Sequence, residues 1–150
     1  MKDKAIINDF LVKAFNEILK HEQIALEGYS KNLSIREMHV IEAVFDGEKE
    51  GGNRANTLAK KLKITPGSLT TAISVLERKG YLKRIKDASD RRSVRVVLTE
   101  EGQRANRYHM DFHERMVESL TSALDENETA VMVKALGKIT EFFRAEEKED

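Results

Sequence analysis

Four histidines, His21, His39, His109 and His113, are the residues of this 150-residue chain best suited to metal or ligand chemistry. His109 and His113 stand at i, i+4 and share one face of a predicted helix. Imidazoles at that spacing suit zinc, with His39, His109 and His113 as ligands and Glu22 or Glu42 completing a tetrahedron. The same side chains suit the wall of an organic-ligand pocket, and spacing alone leaves both readings open. A second chemistry belongs to guanidinium groups. "DASDRRSVRVVL" (87–98) places Asp87, Asp90, Arg91, Arg92 and Arg95 within nine positions, among Val94, Val96, Val97 and Leu98. Arginines at the tip of a predicted hairpin can reach phosphate and groove edges.

Catalytic material is scarce. The chain has no Gly-rich phosphate loop, no nucleophile elbow and no His-Glu-x-x-His pattern, so an enzyme is not expected. It has no cysteine, which excludes disulfides and thiolate metal sites and fits a reducing cytoplasm. The first residues, MKDKAIINDF, lack the apolar run of a signal peptide, and no segment reaches the ~18 apolar residues of a membrane span. Net charge is zero, yet residues 53–98 hold twelve Lys/Arg against three Asp/Glu, while the remainder holds 14 against 23. A centre of +9 between arms of −9 points to a polyanion partner.

The elements that must position these groups are mostly helical. Residues 5–27 carry Ile6, Phe10, Ala14, Ile18, Leu19, Ile24 and Leu26 at helical spacing and predict one long helix ending near Gly28. "SIRE" (34–37) is a Ser-x-x-Glu capping box and predicts a helix from Ser34 to about Asp46. "GEKEGGN" (47–53) reads as a loop. A short helix in "NRANTLAKKLKI" precedes a second over 66–79. Thr65 stands at its N-cap, Pro66 at its first position, Leu69, Ile73 and Leu76 on its buried stripe, and Gly80 at its end. Two short helices joined by a tight turn predict a helix-turn-helix, and "YLKRIK" with "SVRVVLT" predict a following hairpin. Thr99 would cap a helix running to about Leu124. Asp125 and Glu128 would cap a last one carrying Val131, Met132, Ala135, Leu136, Ile139, Phe142 and Phe143, with "RAEEKED" a fraying tail.

The segment "LERKGYLKRIKDASDRRSVRVVLTEEG" (76–102) resembles the MarR family of winged-helix transcription regulators. The residues that carry the resemblance are Leu76-Glu77, Gly80, Arg84, Asp90-Arg91-Arg92, Leu98-Thr99 and Gly102. It implies a mainly α fold with a small β-hairpin wing. Residues 1–150 would be one domain, with the winged helix-turn-helix over 34–98 and dimerisation helices over 1–33 and 99–150. It also implies a homodimer that binds double-stranded operator DNA. Helix 66–79 becomes the recognition helix, with Ser68, Thr70, Thr71 and Ser74 on its open face; Arg84, Asp90, Arg91 and Arg92 serve the wing. Asp90 is expected to pair with Arg92 and aim the tip, and the lack of Arg or Asn pairs on the helix implies thin base readout and a role for DNA shape.

"IREMHVIEAV", "LTTAISVLERKGY" and "RYHMDFHERMVE" are similar to the branch of this family that represses fatty-acid synthesis genes, with acyl-acyl carrier protein as co-repressor. That likeness implies an effector pocket using Met38, His39, His109, Phe112, His113 and Met116, no cofactor, and no membrane association. Docking of an acidic carrier would need a local basic patch, near Arg104 and Arg107 or in the winged module. The alternatives are a zinc-responsive repressor using His39, His109 and His113, or a regulator answering another small molecule.

Overall fold

The computed structural model describes residues 2–90 and 93–147. Its elements run α1 (Lys2–Tyr29), α2 (Ile35–Glu50), α3 (Ala55–Leu62), α4 (Pro66–Arg78), β1 (Leu82–Lys86), β2 (Val94–Leu98), α5 (Glu100–Thr121) and α6 (Glu126–Glu146). They form two compact units, Met1–Phe112 and His113–Asp150. Among the described residues no helix is long and apolar enough to cross a membrane.

The first unit holds the core. Leu26, Met38, Ile41, Val44, Leu58, Leu69, Ile73, Leu76, Leu82 and Val96 are fully buried there. Local chemistry starts α2 and α4 around it. Ser34 accepts from the Glu37 N–H at 3.2 Å, and Glu37 Oε2 accepts from the Ser34 N–H at 2.9 Å, so two backbone donors of α2 are satisfied reciprocally. Thr65 caps α4 by accepting from the Ser68 N–H at 3.1 Å, and Pro66 occupies the first turn, where no N–H is needed. By contrast α1 buries only Glu22 and Leu26, leaving Ile6, Phe10 and Phe15 exposed.

The expected loop at 47–53 is instead mostly helix. α2 continues through Glu50 and ends on Gly51 in the left-handed conformation. Gly47 is buried, and a Cβ there would lie 2.9 Å from the Gly52 carbonyl oxygen. Glu48 reaches across to β2 and accepts the Leu98 N–H at 2.6 Å. The extra turn therefore packs through backbone and a carboxylate, which leaves no apolar period to read. The next residues bond to the hairpin. The Val96 N–H donates to the Asn53 carbonyl at 2.9 Å, Asn53 Nδ2 returns a bond to the Val96 carbonyl at 3.0 Å, and Arg54 bridges Arg95.

The hairpin is antiparallel, with Leu82 opposite Leu98 and Arg84 opposite Val96. It joins α4 and α5 through one crowded junction. Gly80 adopts φ +86° beyond the end of α4. Its N–H reaches the Glu77 carbonyl at 3.1 Å and the Tyr81 N–H reaches Leu76 at 2.9 Å, the paired bonds of a Schellman termination. The Thr99 N–H donates to the Tyr81 carbonyl at 3.0 Å, and Thr99 Oγ1 donates to the Gly80 carbonyl at 2.5 Å and accepts from the Gly102 N–H at 3.1 Å. Gly102 presses on the same strand, so a Cβ at this position would meet the Tyr81 carbonyl oxygen at 2.1 Å.

In the second unit, Asp125 and Glu128 form the expected capping box of α6, at 2.8 and 2.9 Å. α5 ends at Thr121 rather than near Leu124, and α6 runs to Glu146, so Arg144–Glu146 continue the helix instead of fraying. No described residue of α6 is buried, and Val131, Leu136, Phe142 and Phe143 lie open. Leu120, Leu124, Val131, Met132 and Ala135 line an open apolar cleft of about 460 Å³.

Gly102→Ala should cost on the order of 2–3 kcal/mol, because the added methyl strikes backbone rather than a movable side chain. Gly80→Ala meets open space and should cost only the left-handed backbone penalty, roughly 1–2 kcal/mol. Urea denaturation of both variants checks the order; an equal loss would mean that the junction relaxes around the methyl.

Candidate nucleic-acid interface

Helix α4 buries Leu69, Ile73 and Leu76 and leaves Ser68, Thr70 and Thr71 exposed, with Ser74 half-buried. Each hydroxyl is oriented by its own helix. Thr70 donates to the Pro66 carbonyl at 2.9 Å, Thr71 to Gly67 at 3.1 Å and Ser74 to Thr70 at 3.0 Å. Ser68 Oγ receives the Thr65 hydroxyl at 2.8 Å. With the hydroxyl hydrogens of Thr70 and Thr71 turned toward backbone, the helix presents oxygen lone pairs and methyl groups. Those complement base amino groups and the thymine methyl in a major groove.

Arg84, expected at the DNA, is exposed on β1 and engaged with α4. Its guanidinium bonds Glu77 and donates to Ser74 Oγ at 3.0 Å, and its backbone N–H reaches Glu77 Oε1 at 3.3 Å. Arg84 thus braces β1 against α4 and fixes the angle between recognition helix and wing.

Among the described residues, the base of the wing is organised by Asp87. Arg91 and Arg92, and with them the proposed Asp90–Arg92 pair, lie outside the described residues. The Asp90 carbonyl accepts the Ser93 N–H at 2.9 Å. Asp87 is buried at the base of the hairpin and gathers four donors. The Ser89 N–H and hydroxyl reach Oδ1 at 3.1 and 2.9 Å; Arg54 and Arg95 reach Oδ2 at 2.7 and 3.0 Å. The Ser89 backbone bond, then the Arg54 guanidinium and the Ser89 hydroxyl, hold its carboxyl well below the usual aspartate range. Asp87 was visible in the sequence as one of the acids beside the arginines. Nothing local distinguished it from Asp90, because its partners lie 33 and 8 positions away.

The basic centre divides accordingly. Arg54 and Arg95 serve Asp87, Lys61 pairs with Asp46 and Glu50, Lys79 with Glu37, and Arg84 with Glu77. Lys60, Arg78, Lys83 and Lys86 are exposed and have no ion-pair partner among the described residues. These cations remain available to a polyanion.

Of the expected effector residues, Met38, His39, His109 and Phe112 belong to the first unit. Met38 is fully buried in the core. His109 is buried, with Nε2 4.0 Å from Glu22 Oε1 and 3.8 Å from Glu42 Oε2, and its ring meets His39 edge-on at 5.9 Å. Glu22, His39 and His109 each offer a ligand atom, all within 4.8 Å of one another. His113 and Met116 fall in the second unit. Phe112, Tyr108, Ala25 and Leu26 pack beside Glu22 and His109 and leave no room for a water-sized guest. His39 also borders an open cleft of about 480 Å³ between α2, α3 and α4, walled by Val40, Leu62, Ile64 and Ala72, with Arg36 and Ser68 at its edge.

Comparison with known proteins decides the family. A model of the MarR family matches residues 48–94. The crystal structure of Streptococcus pneumoniae FabT in complex with DNA is 36% identical, covering 95% of this chain and 98% of that chain, with a TM-score of 0.84. The chain belongs to the MarR family. The Staphylococcus aureus MepR–DNA complex shares the fold at 23% identity, with a TM-score of 0.73 over 90% of this chain and 95% of that chain. The transcriptional repressor YetL of Bacillus subtilis is 23% identical over 86% of this chain and 74% of its own length. The MarR-type chain is therefore a DNA-binding transcriptional regulator and not an enzyme, and its fold is the winged helix expected from 76–102.

Two measurements test the interface. Asp87→Asn removes a negative charge yet should weaken operator binding several-fold, because Arg54 and Arg95 lose their shared anchor; tighter binding would contradict the clasp. Since the folded pKa is depressed, the clasp's stabilisation is complete above the ordinary aspartate pKa of about 3.9 and is lost only as pH falls through the lower folded value. Separately, Lys83→Ala or Lys86→Ala should lower the slope of log K against log salt by about one unit each. Lys61→Ala, occupied by Asp46 and Glu50, should leave it unchanged.

Proposed function

We propose that this chain is a homodimeric repressor of fatty-acid synthesis genes that binds its operator with acyl-acyl carrier protein as co-repressor. The observation that carries the reading is the likeness to FabT over 95% of the chain, which takes in the segments 35–44 and 107–118. The dimer is supported by apolar side chains that each unit leaves open, Ile6, Phe10 and Phe15 on α1 and Val131, Leu136, Phe142 and Phe143 on α6. Burying them against a second copy is worth about 25 cal/mol per Å² of apolar surface. Twofold symmetry would then set two α4 helices against successive major grooves, with each wing along the flanking backbone.

The acyl group fits the cleft between α2, α3 and α4 better than the gap behind it. About 480 Å³ lies within the usual range of ligand pockets, roughly 300–1,000 Å³, whereas the gap beside Glu22 and His109 has no room even for a water-sized guest. Ser68 and Ala72 of α4 line the larger cleft, so its occupant touches the recognition helix directly and can bias its angle. The carrier protein is acidic, and the docking patch expected at Arg104 is weakened by that residue's bonds to Glu100 and Glu101. Arg36, exposed at the cleft edge and without a described partner, is the better cation for it.

A titration of labelled operator tests the reading. Long-chain acyl carrier protein should tighten binding several-fold, the unacylated carrier should not, and Arg36→Ala should abolish the difference. Sedimentation of the same samples should show two chains per operator. Equal effects of acylated and unacylated carrier would refute the co-repressor assignment.

A further inference from the structure

Apolar packing of Leu69, Ile73 and Leu76 holds α4 on the core, but such packing is non-directional and does not by itself fix the tilt of a helix. A directional tie stands at the C-terminal end. Lys79, the C-cap of α4, sends its ammonium across to α2 and to the corner between α1 and α2. Its Nζ donates to Glu37 Oε1 and Oε2 at 2.8 and 2.9 Å and to the Asn32 carbonyl at 2.6 Å. An ammonium has three N–H donors, and these three acceptors occupy them all. The anchor is itself held, because Glu37 Oε2 also accepts the Ser34 N–H at 2.9 Å as half of the α2 capping box. The side chains of Lys79 and Glu37 are 24% and 17% exposed, so solvent and salt screen this pair less than Lys61–Asp46, at 41% and 42%. Two positions on, the Tyr81 hydroxyl donates to Ser30 Oγ at 3.3 Å, a second contact with the same corner.

We propose that Lys79 is a positioning residue for operator recognition: its ammonium, occupied by Glu37 and Asn32, sets the tilt of α4 against α2 and does not contact DNA. The role is independent of the acyl reading. It reverses two expectations that charge alone would give. A lysine at the end of a recognition helix would otherwise count as a phosphate contact, and its loss would flatten the salt dependence of binding. Removal of the Glu37 carboxylate would otherwise tighten binding to a polyanion. With the tie broken, base readout by α4 suffers instead, while non-specific binding, carried by phosphate charge, does not depend on the tilt.

The test uses the full-length chain, an operator selected by it from random-sequence duplexes, and an unselected duplex of equal length. Lys79→Met keeps the aliphatic stem and removes the ammonium; Glu37→Gln removes the charge and keeps a capping-box acceptor. Each variant should bind the operator several-fold more weakly, with unchanged affinity for the unselected duplex and an unchanged slope of log K against log salt. The double variant should lose no more than the larger single loss, because both changes break one tie. In the wild-type chain, acetylation by an N-hydroxysuccinimide ester, read by mass spectrometry, should find Lys79 slow to react with or without operator. Lys83 and Lys86 should react fast and become protected on operator. A slope lowered by about one unit in Lys79→Met overturns the proposal and makes Lys79 a phosphate contact. Tighter operator binding by Glu37→Gln overturns it, as do equal losses on both duplexes, which mark a general loss of folded protein. So does a Lys79 that reacts fast in the free chain and is protected by operator, a result that needs no variant to fold.

Discussion

The carbonyl of Tyr81 holds the DNA-binding half of the molecule together. Four backbone events meet around it: α4 terminates on Gly80, β1 begins, the Thr99 N–H bonds the carbonyl, and Gly102 packs against it without a Cβ. A recognition helix can only be aimed if the hairpin beside it is rigid, and the hairpin is rigid because both its ends are locked here. The residues of the pattern 76–102 then acquire separate physical reasons. Glu77 receives Arg84, Gly80 supplies the left-handed turn, Thr99 caps α5 and reaches back to Gly80, and Gly102 permits the close approach.

Charge in the basic centre has two jobs, and burial separates them. A carboxylate such as Asp87, taken out of water, needs donors on both oxygens, and it draws two arginines from the loop before α3 and from β2. Arg84, Lys61 and Lys79 likewise join elements together. Lys60, Arg78, Lys83 and Lys86, without such partners among the described residues, lie on α3, α4 and β1, where a polyanion can reach them. A net charge counted from the sequence therefore overstates the field available to DNA, while its sign and location remain correct.

Helix α2 connects the chemistry of the unit. Its buried face carries Met38, Ile41 and Val44 into the core; His39 faces Glu22 and His109, and Arg36 and Val40 border the cleft next to α4. A ligand in that cleft acts on a rigid element that also touches the recognition helix.

The sequence by itself determined the features that depend on near neighbours. The capping boxes at Ser34 and Asp125, the Thr65-Pro66 start, the stripe Leu69, Ile73 and Leu76, and the hairpin with its turn all follow from contacts within a few positions or from a regular period. The apolar face of α1 and the basic centre were legible in the same way. Tertiary structure alone decided the rest. Residues 47–50 are helical because Gly47 packs backbone on backbone and Glu48 finds the Leu98 N–H fifty positions on. Asp87 gathers Arg54 and Arg95 at the base of the hairpin, Arg84 bonds Glu77 and Ser74 of α4, and Glu22 lies beside His39 and His109. A carboxylate or guanidinium has the same one-letter code whether it is solvated or buried; only the fold sets which distant partner lies within 3 or 4 Å and so which role it takes.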